Sequence, residues 1–120
     1  SISIDYRLGI KAGVQADQKT VLNAVNIAVE DLFSVTKYVL DNATKWNIDP
    51  TKIMISGGSA GAITCLNAEY EIVNAGALAK ILPANFNYAG VISQAGCVIA
   101  TQDSLKWNGK PCPIFFMHGD

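Results

Sequence analysis

The residues with the clearest chemical meaning are Gly57, Ser59 and Gly61, which form the pattern Gly-x-Ser-x-Gly. They follow a short apolar run at residues 53–55 and precede a helical pattern rich in small residues. A serine between a strand and a helix stands at the tip of a sharp turn, where its hydroxyl is open to a substrate carbonyl carbon. The pattern therefore predicts that Ser59 is the nucleophile of an acyl transfer reaction.

The same turn predicts a place for the negative charge that such a reaction develops. The N–H of Ala60 lies in the first helical turn, where backbone donors have no partner within the helix. It is expected to bind the carbonyl oxygen as that oxygen becomes an oxyanion. Gly57 and Gly61 are the expected glycines of the turn, because a Cβ two residues from the serine on either side would strike the neighbouring strand or helix.

Two other interpretations of this glycine-rich turn stay open. In the first, the turn has only a structural role. In the second, its N–H groups bind a phosphate group. The sequence has neither a lysine after the motif, as in a P-loop, nor a Gly-x-Gly-x-x-Gly pattern. The flanking strand and helix patterns favour the nucleophile.

Composition and charge exclude several classes of protein. The 120 residues are 50% hydrophobic and carry a formal charge of −1, which suits one small domain with a core. Acidic and basic residues are interspersed, so neither nucleic acid nor an anionic membrane surface is expected as a partner. No apolar stretch approaches the roughly 20 residues of a membrane span. The compartment is not determined by the sequence.

The cysteines and the histidine predict neither a disulfide framework nor a metal site. The three cysteines, Cys65, Cys97 and Cys112, are an odd number and are expected to be free. Cys97 follows one predicted strand and Cys112 precedes the next, so they would lie at opposite edges of a parallel sheet. One histidine with scattered cysteines does not make a zinc site. No metal or organic cofactor is therefore expected.

Hydrophobic periodicity predicts an α/β fold. The predicted elements are a strand at residues 1–8, a helix from about 18 to 46, a strand at 53–56, a buried helix after Ser59, a connection at 77–87 with one helical turn, and strands at 88–94 and 113–117. The long intervals between the strands require crossovers and hence a parallel sheet. The long helix is expected to pack on that sheet, the strand at 88–94 to be covered on both faces, and the strand at 113–117 to be buried.

Several stretches, taken in this order, resemble the middle of an α/β-hydrolase of the esterase/lipase (carboxylesterase) kind. They are residues 4–8 (Ile-Asp-Tyr-Arg-Leu), 28–31 (Ala-Val-Glu-Asp), 48–53 (Ile-Asp-Pro-Thr-Lys-Ile), 57–61 (Gly-Gly-Ser-Ala-Gly), 90–93 (Gly-Val-Ile-Ser) and 117–119 (Met-His-Gly). The resemblance implies a three-layer αβα sandwich with a central parallel sheet. Residues 1–120 would then be a partial α/β-hydrolase domain with strands four to seven of the family.

The resemblance also implies a Ser, acid and His triad in that chain order. The acid follows the seventh strand and the histidine follows the eighth. Asp120 is the nearest candidate acid, although the family more often places the carboxylate a couple of residues later. His118 is expected to be structural rather than the base. The third strand, the glycine-rich loop with the second oxyanion N–H, and the last strand with its histidine are expected outside this sequence, which leaves a gap in the sheet.

The function expected on these grounds is hydrolysis of carboxylic esters through an acyl-serine, with a small-molecule ester as substrate. Residues 1–120 alone are expected to be nearly inactive, because a serine without a base is a poor nucleophile. A serine peptidase of the same fold and a non-catalytic α/β-hydrolase-like binding domain are the alternatives. Exposed sheet edges favour pairing with the missing part of the fold or with another copy.

Two further groups of residues receive non-catalytic interpretations. Asp103, Ser104 and Trp107 are polar or aromatic enough to line a pocket, but a surface loop is the favoured interpretation. Asp5 and Arg7 are expected to form a structural network near the end of the sheet.

Overall fold

The fold is a small parallel sheet with helices packed on it. A computed structural model describes residues 1–99 and 105–119 of the chain. Within these residues lie two α-helices, one 3-10 helix and three strands: α1 (Gln18–Asp41), β1 (Met54–Gly58), α2 (Ala60–Val73), the 3-10 helix (Ala77–Ile81), β2 (Gly90–Gln94) and β3 (Ile114–Met117). The strands are parallel in the order β1, β2, β3. The predicted α/β class is confirmed, and the arrangement is compatible with part of an α/β-hydrolase fold.

Helix α1 begins at a side-chain cap and ends earlier than predicted. The Asp17 carboxylate accepts the N–H of Thr20 at 2.7 Å, which satisfies one of the free donors of the first turn. The helix ends at Asp41 rather than near residue 46. After that point the N–H of Ala43 donates to the carbonyl of Leu40, three residues back, at 3.2 Å. A hydrogen bond to the third residue back is that of a 3-10 turn, so the α-helical hydrogen-bond pattern ends here.

The turn after α1 is closed by Asn47, as predicted. Asn47 has a φ of 55°, a left-handed conformation that asparagine adopts more readily than most residues. The N–H of Ile48 then donates to the carbonyl of Ala43 at 2.8 Å. The chain is thereby redirected into β1.

Helix α1 buries its apolar stripe as predicted, and its side chains share one core with side chains of the sheet. Its backbone neighbours among the described elements are α2 and the 3-10 helix, whereas α2 contacts β1 and β2. Side chains of both helices join Ile55 and Val91 of the sheet in one core cluster. The buried residues of α1 are Val25, Ala28, Val29, Leu32, Phe33, Thr36 and Val39. Helix α2 thus supports both the sheet and α1.

The two outermost predicted strands differ from expectation. Residues 1–8 form no strand. A cavity of about 630 Å³ has Ser1–Ile4 and β1 among its walls, and no described hydrogen bond joins the two segments. The prediction that β3 is buried is also wrong. Its Phe115 and Phe116 side chains are 60% and 53% exposed, since β3 pairs only with β2 and no described helix contacts it.

An ion pair fastens the segment at residues 1–8 to α1. The Arg7 guanidinium donates to both carboxylate oxygens of Asp31, at 2.7 and 3.0 Å, and to Glu30 at 3.0 Å. The backbone N–H of Arg7 donates to Asp31 as well, at 2.9 Å. Arg7 therefore belongs to a structural network, but its partners lie on α1 and Asp5 takes no part among the described contacts.

This ion pair predicts a pH-dependent contribution to stability. Hydrogen bonds from the Arg7 side chain lower the pKa of the Asp31 carboxyl. Such a group stabilises the fold fully above its unfolded pKa of about 3.9 and loses that contribution as the pH falls through the folded value. We expect Asp31→Asn to lower the stability of the full-length protein to urea at pH 7, and the difference from wild type to shrink below about pH 4.

The matched control is Asp41→Asn, which removes the exposed ion pair with Lys37 on the same helix. Its effect at pH 7 is expected to be smaller, because Asp41 is 60% exposed and accepts one hydrogen bond, whereas Asp31 is 21% exposed and accepts several. A stability difference for Asp31→Asn that is the same at pH 7 and pH 3 would contradict the assignment.

Candidate active site

The backbone between β1 and α2 turns sharply at Ser59, which has a φ of 50° and a ψ of −116°. A residue with a side chain pays about 1–3 kcal/mol in such a sparsely populated region and remains there only where its surroundings hold it. The N–H of Ser59 donates to the carbonyl of Gln94 at the end of β2, at 2.8 Å. Its carbonyl accepts the N–H of Ile63 at 3.0 Å and so opens α2. Ser59 is thus fixed on both sides by its backbone.

The side chain of Ser59 and the N–H of Ala60 are both available to a ligand. Both residues are exposed. Among the described residues, the Ser59 hydroxyl has no hydrogen-bond partner, and neither does the N–H of Ala60. The strand, turn and helix stand where the sequence predicts them. The roles of Ser59 as nucleophile and Ala60 as oxyanion donor stay predictions.

The two glycines of the turn have different structural roles. A Cβ at Gly57 would lie 2.3 Å from the carbonyl carbon of Gly61 and 2.7 Å from the nitrogen of Ala62. Backbone atoms cannot give way as a flexible side chain can, so only glycine fits there. At Gly61, in contrast, an added Cβ would meet no described atom within 4 Å outside the backbone of its own helix. The prediction that both positions exclude a Cβ is therefore correct for Gly57 and wrong for Gly61.

This difference supplies a matched pair of variants. We expect Gly57→Ala to destabilise the protein by about 1–3 kcal/mol through overpacking and to displace Ser59, which lowers hydrolytic activity. Gly61→Ala is expected to leave stability unchanged or raise it by up to about 1 kcal/mol, because alanine is the better helix former. Thermal unfolding of both variants checks the pair. Equal losses for the two would contradict the packing described here.

The loop after β2 lies against the first turns of α2. Ala95 has a φ of 60°, and its N–H donates to the carbonyl of Met117 on β3 at 2.7 Å. A Cβ at Gly96 would lie 2.6 Å from the Ser93 hydroxyl and 2.7 Å from the Cβ of Ala62. The loop therefore passes close to α2 because position 96 has no side chain.

Asn67 on α2 holds this loop with its side-chain amide. Its oxygen accepts the N–H of Ile99 at 3.1 Å, and its nitrogen donates to the carbonyls of Cys97, at 3.3 Å, and Ile63, at 2.8 Å. The residue is only 8% exposed. Sequence reasoning did not single it out. The signal was a polar residue within a helix otherwise predicted to be buried and apolar.

Glu69 on α2 and Asn74, the residue that caps the C-terminus of α2, hold the chain that leads into β3. A carboxylate oxygen of Glu69 accepts the N–H of Cys112 at 2.7 Å. Asn74 accepts the N–H of Asn108 at 2.8 Å and donates to the carbonyl of Lys106 at 3.0 Å. The same helix that carries Ser59 at its start thus fixes both described parts of the connection between β2 and β3.

The amide of Asn67 is predicted to matter more than that of Asn74. Asn67→Ala leaves the N–H of Ile99 and the carbonyl of Cys97 without their partner in a partly buried setting, which costs about 1–3 kcal/mol. We expect it to lower both stability and hydrolytic activity. Asn74→Ala also removes two interresidue bonds, but exposed ones at the far end of α2. Comparison of melting temperature and kcat/KM checks this, and equal activity losses would contradict it.

The other candidate residues lie apart from the turn or outside the described ranges. His118 is exposed, and its ring stacks on Phe116 at a centroid distance of 6.3 Å. Trp107 packs edge-on against Tyr70 at 5.1 Å, near the opposite end of α2 from Ser59. Asp103, Ser104 and Asp120 lie outside the described residues.

Two of the three cysteines, Cys65 and Cys112, are poorly suited to act as nucleophiles in this structure. All three are free, with Cys65 buried, Cys97 exposed and Cys112 half-buried. Burial raises the pKa of the Cys65 thiol to about 11. Burial, with the nearby Glu69 carboxylate, raises the pKa of Cys112 to about 12. Both thiols are therefore protonated at neutral pH, and a protonated thiol is a weak nucleophile.

Neither a metal-ligand cluster nor a membrane-crossing helix is found in the described parts of the chain. Residues 1–99 and 105–119 contain no group of three His, Cys, Asp or Glu side chains placed to hold a metal ion. Neither described α-helix combines the length and the apolarity that crossing a bilayer requires.

Comparison with known proteins adds one finding to this geometry. The sequence model of the BD-FAE family matches residues 1–71, which include α1, β1, the turn at Ser59 and most of α2. No curated protein and no solved structure matches the chain.

Proposed function

Because this chain belongs to the BD-FAE family of esterase-like domains of the α/β-hydrolase type, we propose that it carries the nucleophile of a serine hydrolase that cleaves carboxylic esters. An esterase-like hydrolase follows from the family itself. The serine, the carboxylic ester and the acyl-enzyme are the proposal.

One observation carries this proposal: the exposed hydroxyl of Ser59 stands beside the N–H of Ala60 on a strained turn. The main chain of Ser59 is fixed by hydrogen bonds to Gln94 and Ile63, at 2.8 and 3.0 Å. Neither the hydroxyl nor the N–H of Ala60 has a described partner. A nucleophile and a donor that need no rearrangement before reaction are what acyl transfer requires.

The proposed reaction proceeds in two steps. The Ser59 oxygen attacks the ester carbonyl carbon and loses its proton to a base, and the carbonyl oxygen becomes an oxyanion that accepts the N–H of Ala60. Collapse breaks the bond to the alcohol oxygen, which leaves with a proton. Water then attacks the acyl-serine, the bond to the Ser59 oxygen breaks, and the carboxylic acid is released.

The base and the acid that orients it are proposed to come from other parts of the protein. A base must hydrogen-bond to the serine oxygen, and no described side chain does so. The ring of His118 instead packs against Phe116. We therefore assign the base to a histidine outside this sequence. The acid is assigned to a carboxylate that follows β3, for which Asp120 remains the candidate within the chain.

The test is the substitution Ser59→Ala with Ser56→Ala as its matched control. Ser56 is an exposed serine on β1, three residues before Ser59. In the full-length protein we expect Ser59→Ala to abolish labelling by a fluorophosphonate and to lower kcat for p-nitrophenyl acetate by about 10⁴-fold or more. Ser56→Ala is expected to retain both.

The possible results separate the hypotheses. Labelling that persists in Ser59→Ala would place the nucleophile elsewhere. A wild-type protein that is not labelled at all would instead favour a non-catalytic binding domain of the same fold. Faster cleavage of peptide amides than of esters by the wild type would favour the serine peptidase.

A further inference from the structure

A cavity of about 250 Å³ lies beside the proposed oxyanion donor. Its wall includes Ala60 and Ile63 from the first turn of α2, Val21 and Ala24 from α1, and Leu8 and Ile99 from the two flanking loops. We propose that this cavity binds the apolar acyl chain of the ester. The inference rests on the proposed function and adds the class of substrate to it.

Two of the three polar side chains in the wall, those of Arg7 and Thr64, are already occupied, and the third, Tyr6, brings one hydroxyl to an otherwise apolar lining. The guanidinium of Arg7 is directed to Asp31 and Glu30, at 2.7 and 3.0 Å. The Thr64 hydroxyl donates to the carbonyl of Ala60 at 3.0 Å. A charged or strongly polar acyl group would lose its hydration here and find only the Tyr6 hydroxyl as a side-chain partner. A hydrocarbon group gains free energy by leaving water.

The size of the cavity limits the length of the acyl chain. An apolar protein cavity of about 150 Å³ accommodates benzene, with its six carbon atoms. On the same scale, a cavity of about 250 Å³ accommodates about eight to ten carbon atoms. The preferred acyl group is therefore of medium length, longer than acetyl and shorter than the acyl chains of membrane lipids.

The order of the chemical steps favours the acyl group over the alcohol as occupant. The alcohol must leave after the first step, and water must then reach the same carbon atom. The acyl group stays bonded to Ser59 through both steps. A cavity formed by α1, α2 and two flanking loops suits the part of the substrate that stays bound. Its contact with Ala60 places it beside the residue whose N–H is proposed to bind the oxygen of the acyl carbonyl.

The experiment measures kcat/KM for p-nitrophenyl esters from acetate to dodecanoate, with one leaving group throughout. In the full-length wild-type protein, each added methylene is expected to raise kcat/KM about fourfold, which corresponds to about 0.8 kcal/mol per buried CH₂. The rise is expected to stop at about eight to ten carbon atoms.

Substitutions in opposite walls of the cavity test its role. Ile63→Phe and Val21→Phe fill the cavity from α2 and from α1. Each is expected to lower the octanoate to acetate ratio of kcat/KM at least tenfold, and Ile63→Ala is expected to move the optimum to longer chains. The matched controls are Ile72→Phe on α2 and Val35→Phe on α1, which are also partly buried but do not line this cavity. They are expected to leave the ratio unchanged.

The results distinguish failure of this inference from failure of the proposed function. Fluorophosphonate labelling lost in Ser59→Ala, together with a ratio that Ile63→Phe and Val21→Phe do not change, would leave the nucleophile in place and overturn the acyl cavity. The acyl assignment would be overturned if kcat/KM rose with the length of the alcohol in acetate esters and did not change with the length of the acyl chain. If one filling variant does not fold, the other still tests the cavity from the opposite wall.

Discussion

The close packing of backbone against backbone at Gly57 is the contact on which the site depends. A Cβ added at this position would lie 2.3 Å from the carbonyl carbon of Gly61 in the first turn of α2. The strand and the helix would then have to separate. Their contact places the N–H of Ser59 within hydrogen-bond distance of Gln94 on the neighbouring strand. The strained conformation of Ser59 persists because its backbone is hydrogen-bonded to Gln94 on one side and to Ile63 on the other.

Helix α2 connects this turn to the rest of the molecule. Its apolar residues pack on β1, β2 and α1, and its polar residues bind the described parts of the chain between β2 and β3. Asn67, Glu69 and Asn74 each accept at least one backbone N–H from that chain. A helix that carries a nucleophile at its start and holds later loops along its length couples the position of the hydroxyl to the positions of those loops. Rigid support of this kind is what pre-organised catalysis needs.

The segment at residues 1–8 has a different role from that of a sheet strand. Arg7 holds it to α1 by the bonds to Asp31 and Glu30, and it forms one wall of the cavity beside Ala60. One ion pair at the surface thus helps to define an apolar space next to the proposed reaction centre. Its energetic contribution is modest, because the Arg7 side chain is 62% exposed. Its geometric contribution is to set where Leu8 and its neighbours lie.

By itself the sequence determined the features that depend on near neighbours along the chain. The pattern of Gly57, Ser59 and Gly61 between an apolar run and a helical run was sufficient to predict the strand, the turn and the helix, because turn chemistry and hydrophobic periodicity act over a few residues. The stripe of α1 and the left-handed Asn47 followed for the same reason. Only the tertiary structure decided the stacking of α1 on α2, the exposure of β3 and the absence of a strand at residues 1–8. The same is true of the hydrogen bonds from the Asn67 side chain to a loop about 30 residues away and of the cavity beside Ala60. These features arise where segments distant in sequence meet, and local preference carries no information about which segments will meet or how closely they pack.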